Sequence, residues 1–172
     1  NTFAHIKNIG SYDKVSYYSV VLENETLTLF EKFIAKHEQT NKDKLYHIVK
    51  WIEVIGTKYG AQAYLFRPEG ETADTSALPP KANKEPSYIE NGKKKNNPLR
   101  LYCLRANEHV VFLFNGDLKT AQKAQDCPNV KKHFKLANQI TKALDAAFKQ
   151  KDINWNETHT NIEFQSNLKI YL

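Results

Sequence analysis

The stretch LRLYCLRANEHVVFLFNGDLKTAQK, Leu99 to Lys123, concentrates the candidate chemistry of this chain. Side chains alternate across a strand, so Arg100 and Tyr102 share one face of the first arm, with Leu99, Leu101 and Cys103 on the other. A guanidinium inside an apolar sheet is costly unless it has a partner or opens onto a cleft. Lys119 leaves the end of the second arm, where the hairpin order returns it to the end of the sheet that holds Arg100. Two cations and a phenol suit phosphodiester chemistry. Arg100 would grip the scissile phosphate through paired N–H groups, and Lys119 would stabilise its added charge. Tyr102 would stack a base or move a proton. The competing reading leaves Arg100 salt-bridged to an acid of the preceding loop and Lys119 a solvated turn residue.

Other chemistries lack their residues. No GxGxxG or GxxxxGK[ST] loop is present to cradle a nucleotide phosphate, and no nucleophile elbow occurs. The six histidines (5, 37, 47, 109, 133 and 159) are scattered, and none pairs with a cysteine at zinc-finger spacing. His47 lies off the apolar stripe of its helix and reads as a boundary residue rather than a ligand.

The rest of the chain must position that hairpin. Its 172 residues suffice for one domain with a real core, residues 1–172. Twenty-five Lys and Arg against nineteen Asp and Glu give a net charge of +6. A basic surface gathers polyanions, so nucleic acid or the ribosome are the natural partners, lipid headgroups come second, and a merely lysine-rich soluble protein is the plain alternative. Two cysteines make no disulfide framework, which favours a reducing, cytoplasmic setting. The mean hydropathy is −0.63, and no apolar run approaches the roughly 18 residues of a membrane span.

Tyr17–Leu22 (YYSVVL) reads as a first strand, after weakly patterned residues 1–12. Thr28 with Glu31 forms a capping-box pattern before Leu29, Phe30, Phe33 and Ile34, which predicts a helix over 26–38. A second helix is predicted over 42–59, with a Leu45, Ile48, Val49, Ile52, Ile55, Tyr59 stripe and Gly60 at its C-terminal cap. The pair reads as an αα-hairpin packed on a sheet. AYLFR (63–67) reads as a strand. Residues 68–98 hold five of the six prolines and read as a long polar insertion or mobile loop, tipped by Lys93, Lys94 and Lys95.

The strands at 99–105 and 109–114 are apolar on both faces over much of their length and should lie centrally. Asp126 and Pro128 open a third helix over 128–150, whose outer face carries Lys131, Lys132, Lys135, Lys142 and Lys149 against the single acid Asp145. The tail alternates Ile162, Phe164, Leu168, Ile170 and Leu172, a strand or hairpin closing the sheet. The expected class is α+β: a mainly antiparallel sheet, an N-terminal αα-hairpin, a C-terminal helix and an added C-terminal strand.

At this point the chain resembles the RelE/HigB superfamily of toxins from bacterial toxin–antitoxin systems, in its phage-derived Gp49-like branch. The family pattern is a strand, an αα-hairpin, central strands reading roughly yRvly…ivlLhgFvKKtqktp, and an Ala-containing helix. LRLYCLRANEHVVFLFNGDLKTAQK lies over that core, with Arg100 on the strand arginine. DLKT (117–120) falls on the KKT step and KLANQITKAL on the closing helix. Leu118–Lys119 replaces the paired lysines, and Arg67 with the 68–98 insertion replaces the usual ELR hairpin. The resemblance implies an endoribonuclease that cuts mRNA on the ribosome with no metal and no cofactor, by attack of a ribose 2′-OH on the adjacent phosphate. It implies restraint by an antitoxin, often a helix-turn-helix protein. The expected catalytic residues are Arg100, Lys119, Tyr102 and Arg67. Lys93, Lys94, Lys95, Lys131, Lys132 and Lys135 are the expected contacts to RNA, ribosome or an acidic antitoxin segment. The alternative is a non-catalytic basic module that binds nucleic acid or protein.

Overall fold

A computed structural model of the chain describes residues 2–69, 74–81 and 84–172. In chain order these residues form β1 (Phe3–Ser11), β2 (Ser16–Leu22), α1 (Leu29–Thr40), α2 (Lys42–Val54), β3 (Arg67–Pro68), β4 (Thr75–Leu78), β5 (Tyr88–Glu90), β6 (Lys93–Lys95), β7 (Leu99–Arg105), β8 (Val110–Leu118), α3 (Pro128–Lys149), β9 (Ile153–Trp155), β10 (Ile162–Phe164) and β11 (Ile170–Tyr171). Seven strands make one sheet in the order β11-β1-β2-β8-β7-β4-β3. Only β2 and β8 run parallel, so the α+β class holds with a mixed, mainly antiparallel sheet.

The sheet is covered on both faces. Phe33 of α1 and Leu45, Ile48, Trp51 and Ile52 of α2 pack on Tyr17, Leu99, Leu101, Cys103, Val111 and Leu113. Val130, Ala137, Ile140 and Leu144 of α3 pack on Tyr18, Val20, Tyr102, Leu104, Phe112 and Phe114. Two buried faces explain the continuous apolar runs of β2, β7 and β8. The β9–β10 hairpin adds Ile153 and Ile162 to the α3 side, and β11 extends the sheet beside β1.

Local chemistry sets the helix ends. Thr28 Oγ1 accepts from Glu31 N–H at 3.0 Å, and Thr28 N–H donates to Glu31 Oε1 at 2.9 Å. That is a closed capping box. α2 continues as a π turn over Ile55–Tyr59, and Gly60 ends it at φ +74°, a backbone state that favours glycine. Pro128 opens α3 with Cys127 as the capping residue, one position later than Asp126.

The structure departs from the sequence expectation in five places. Ile162–Phe164 of the tail pairs with β9 in a separate two-stranded sheet, and of the tail only β11 joins the main sheet. Residues 3–11 form β1, whose alternation is faint because Ala4 and Ile6 are its only fully buried side chains. AYLFR yields a 3-10 turn at Ala63–Leu65, and only its last residue, Arg67, enters the two-residue strand β3. The 68–98 segment supplies β4, a wholly buried strand hydrogen-bonded to β7, and the separate β5–β6 hairpin. Its Thr-Ser-Ala-Leu run is too small and polar to announce a buried strand. The second arm of the central hairpin runs on to Leu118, through Asn115-Gly116-Asp117.

Candidate functional site

The central hairpin is irregular, and the irregularity places Lys119. Opposite β7, the pairing Leu101↔Gly116 shifts to Cys103↔Leu113, so β8 carries one extra residue in a bulge. A bulge reverses side-chain parity beyond it. Val111 and Leu113 face the α1–α2 side, and beyond the bulge the even-numbered Leu118 packs there as well. Lys119 therefore falls on the opposite, α3-facing side, with Arg100 and Tyr102. Gly116 permits the close approach, since a Cβ there would lie 1.7 Å from the Arg100 carbonyl oxygen. The segment is then pinned: Lys119 N–H donates to Pro98 O at 2.9 Å, and Thr120 N–H donates to Cys127 Sγ at 3.2 Å.

The result is a buried cluster of charge where β7 begins and β8 ends. Glu69, just past β3, is 5% exposed and lies among three cations. Lys119 Nζ donates to Glu69 Oε2 at 3.0 Å, and Arg100 Nε lies 3.8 Å from Glu69 Oε1. Arg67 interacts with the same carboxylate and is fixed by Nε and Nη2 donating to Pro79 O and Pro80 O, each at 3.2 Å. Arg100 Nη1 donates to Asn97 O at 2.6 Å and to Leu99 O at 3.1 Å. Two donors have no hydrogen-bond partner among the described residues: Arg100 Nε and the buried Tyr102 hydroxyl.

The electrostatics agree with this crowding. Burial, and then the Arg67 cation, pull the Arg100 guanidinium down to about 10, and Glu69 only partly offsets them. Burial and then the Glu69 charge push the Tyr102 phenol well up, so it serves as a donor and not as a phenolate. One carboxylate among three cations leaves a surplus of positive charge in a desolvated place. Such an arrangement favours further anionic charge.

Asn97 holds the cluster from behind. Its Nδ2 donates to Lys44 O at 2.9 Å and lies 3.0 Å from His47 Nδ1, while its Oδ1 accepts from Leu99 N–H at 3.0 Å. His47 Nε2 lies 2.9 Å from Pro86 O, and burial lowers its pKa, so the neutral ring joins α2 to Asn97. Beside this lattice a cavity of about 400 Å³ is lined by Arg67, Lys81, Lys84, Lys94 and Lys95, with Glu85 as its acid. Lys94 Nζ donates to Glu85 Oε1 at 2.9 Å.

Of the four expected catalytic residues, Arg100 and Lys119 meet on Glu69, and Lys119 is paired and not a solvated turn residue; Arg67 is held by Pro79 O and Pro80 O, and Tyr102 lies on the Arg100 face of β7. An acid of the 68–98 segment does engage Arg100, as the competing reading had it. The expected RNA contacts divide. Lys94 and Lys95 line the cavity and Lys93 points elsewhere on the exposed β6. Lys131, Lys132 and Lys135 are exposed on α3 and make no ion pair among the described residues. Glu69, Asn97 and Cys127 escaped the sequence reading. Glu69 carries a weak signal, an acid two residues after Arg67, and the other two carry none. Among the described residues no three His, Cys, Asp or Glu side chains gather where they could hold a metal ion, and no helix is long and apolar enough to cross a membrane.

Compared with known proteins, the chain matches no family model, no curated protein and no solved structure.

Proposed function

We propose that the protein is an endoribonuclease of the RelE/HigB toxin kind, the toxin of a type II toxin–antitoxin pair, cutting mRNA on the ribosome without a metal. The observation that carries this reading is the engagement of Arg100 and Lys119 with the one buried carboxylate of Glu69, whose charge also acts on Arg67 and Tyr102. The chain order of strand, αα-hairpin, central hairpin and closing helix supports it. In the reaction the ribose 2′-oxygen bonds to the adjacent phosphorus and gives its proton to solvent water, and the bond to the 5′-oxygen breaks as that oxygen takes up a proton, leaving a 2′,3′-cyclic phosphate and a 5′-hydroxyl. Arg100 and Lys119 stabilise the charge gathering on the phosphoryl oxygens. Tyr102, held protonated by its surroundings, hydrogen-bonds the phosphate or its leaving oxygen. An acidic antitoxin segment or the RNA backbone would lie along Lys131, Lys132 and Lys135.

The test is growth arrest and mRNA cleavage on expression of the chain, alongside Arg100→Ala and Lys119→Ala variants whose fold is verified by circular dichroism. Both variants should lose both effects. A wild-type chain that neither arrests growth nor cleaves ribosome-bound mRNA overturns the reading. A second reading, a non-catalytic module for nucleic acid, is favoured by the basic cavity of Arg67, Lys81, Lys84, Lys94 and Lys95. It predicts salt-dependent RNA binding with no cleavage.

A further inference from the structure

Glu69 lies buried against two cations of the central hairpin. Its two oxygens face Lys119 Nζ, at 3.4 and 3.0 Å, and the Arg100 guanidinium, at 3.8 Å. A carboxylate and a phosphodiester each offer two oxygens and one negative charge, so the first imitates the second in the grip of these donors. The imitation is incomplete. Arg100 Nε–H is too far from Glu69 Oε1 for a hydrogen bond, and the buried Tyr102 hydroxyl, on the same face of β7 as Arg100, has no partner among the described residues. Leaving buried donors unmet is unfavourable, and a tetrahedral group with more oxygens would reach them. The cluster also keeps a surplus of positive charge after Glu69 is counted.

We infer that the Arg67–Arg100–Lys119–Tyr102 cradle is an oxyanion site for a phosphate group, and that the chain closes it with its own Glu69 carboxylate until such a ligand displaces it. The identity of the ligand as an RNA phosphate rests on the ribonuclease reading, and the occupancy of the cradle by Glu69 is its regulation. A structural salt bridge alone makes a different prediction. In that case neutralising Glu69 only weakens the fold and gains nothing toward anions.

The two are separated by titrating inorganic phosphate, at fixed ionic strength set with chloride, into wild-type protein and Glu69→Gln, followed by calorimetry and thermal unfolding. Glu69→Gln should bind phosphate about tenfold tighter or more, the worth of one charge-assisted hydrogen bond returned to the cradle. Adding Arg100→Ala to Glu69→Gln should abolish the gain. Equal phosphate affinity in wild type and Glu69→Gln overturns the inference. Should Glu69→Gln fail to fold, Glu69→Asp keeps the charge but draws the carboxylate back by one methylene. It should again bind phosphate more tightly than wild type, and no change overturns the inference. RNA cleavage, measured in parallel, keeps the two claims apart. Tighter phosphate binding with no cleavage by any variant upholds the cradle and removes the ribonuclease reading. Cleavage by wild type without a phosphate gain in either Glu69 variant upholds the ribonuclease and removes the occupancy by Glu69.

Discussion

Substituting Gly116 tests whether the bulge sets the site. A Cβ added at Gly116 would lie 1.7 Å from Arg100 O, 2.8 Å from Arg100 C and 3.1 Å from Leu101 Cα. All three are backbone atoms of a strand buried on both faces, so no side chain can turn aside, and β7 and β8 must part by more than an ångström. Overpacking a core costs about 1–3 kcal/mol, and a rigid backbone partner puts Gly116→Ala at the upper end, about 3 kcal/mol. For a chain of this size that corresponds to a fall in Tm of about 6–12 °C. Gly10→Ala is the control: its Cβ would meet only the Tyr12 side chain at 3.8 Å, an ordinary contact, so its stability should stay within about 0.5 kcal/mol. Calorimetry and urea denaturation of both variants make the comparison. A Gly116→Ala protein that melts within 2 °C of wild type, on the scale of about 2–4 °C per kcal/mol for this size, would refute the register that carries Lys119 to Arg100.

Three further outcomes follow from the same geometry. Asn97→Ala removes the carboxamide that bridges Lys44 O, His47 Nδ1 and Leu99 N–H and should cost about 2–4 kcal/mol in urea denaturation, while reducing RNA cleavage. Stability should fall as the pH drops from about 6.5 toward 4, because burial, then Lys132, hold His133 down to about 4, and burial also lowers His37 and His47. Between those values the unfolded chain binds the proton and the folded one refuses it. For the partly exposed His133 the loss should be about 1–2 kcal/mol, and His133→Asn should flatten the profile. Burial opposes ionisation of the Cys127 thiol, but hydrogen bonds from Thr120 Oγ1 and from the N–H groups of Thr120, Val130 and Ala121 outweigh it and bring the thiol down to about 7. Thiolate absorbance at 240 nm should rise with a midpoint near 7 and vanish in Cys127→Ser, while Cys103, pushed up by burial, stays silent.

Much of the frame was legible because its signals are strong and local. The capping box of Thr28 and Glu31, the helical stripes, the cap at Gly60 and the doubly apolar runs around Arg100 each express a nearby physical requirement, although Val49 of the second stripe is exposed and Trp51, outside it, is buried. The alternation of the central strand correctly set Arg100 and Tyr102 apart from Leu99, Leu101 and Cys103. What stayed hidden depends on distant partners. The Thr75–Leu78 strand is small and polar, and only its pairing with β7 on one side and β3 on the other makes it a buried strand. The bulge at Phe114–Asn115 leaves no periodic trace, yet it decides which face Lys119 occupies. Glu69 reads as one acid in a polar stretch until the fold carries it to Arg100 and Lys119.

The most direct test of the central claim is the cleavage of a short RNA and of the same strand carrying a single 2′-deoxynucleotide at the mapped cut site, with the product ends determined by mass spectrometry. The all-ribose strand should be cleaved to a 2′,3′-cyclic phosphate and a 5′-hydroxyl, with no cleavage at the deoxy position and loss of cleavage in Arg100→Ala and Lys119→Ala. Undiminished cutting at the deoxy position, or full activity without either cation, would contradict it.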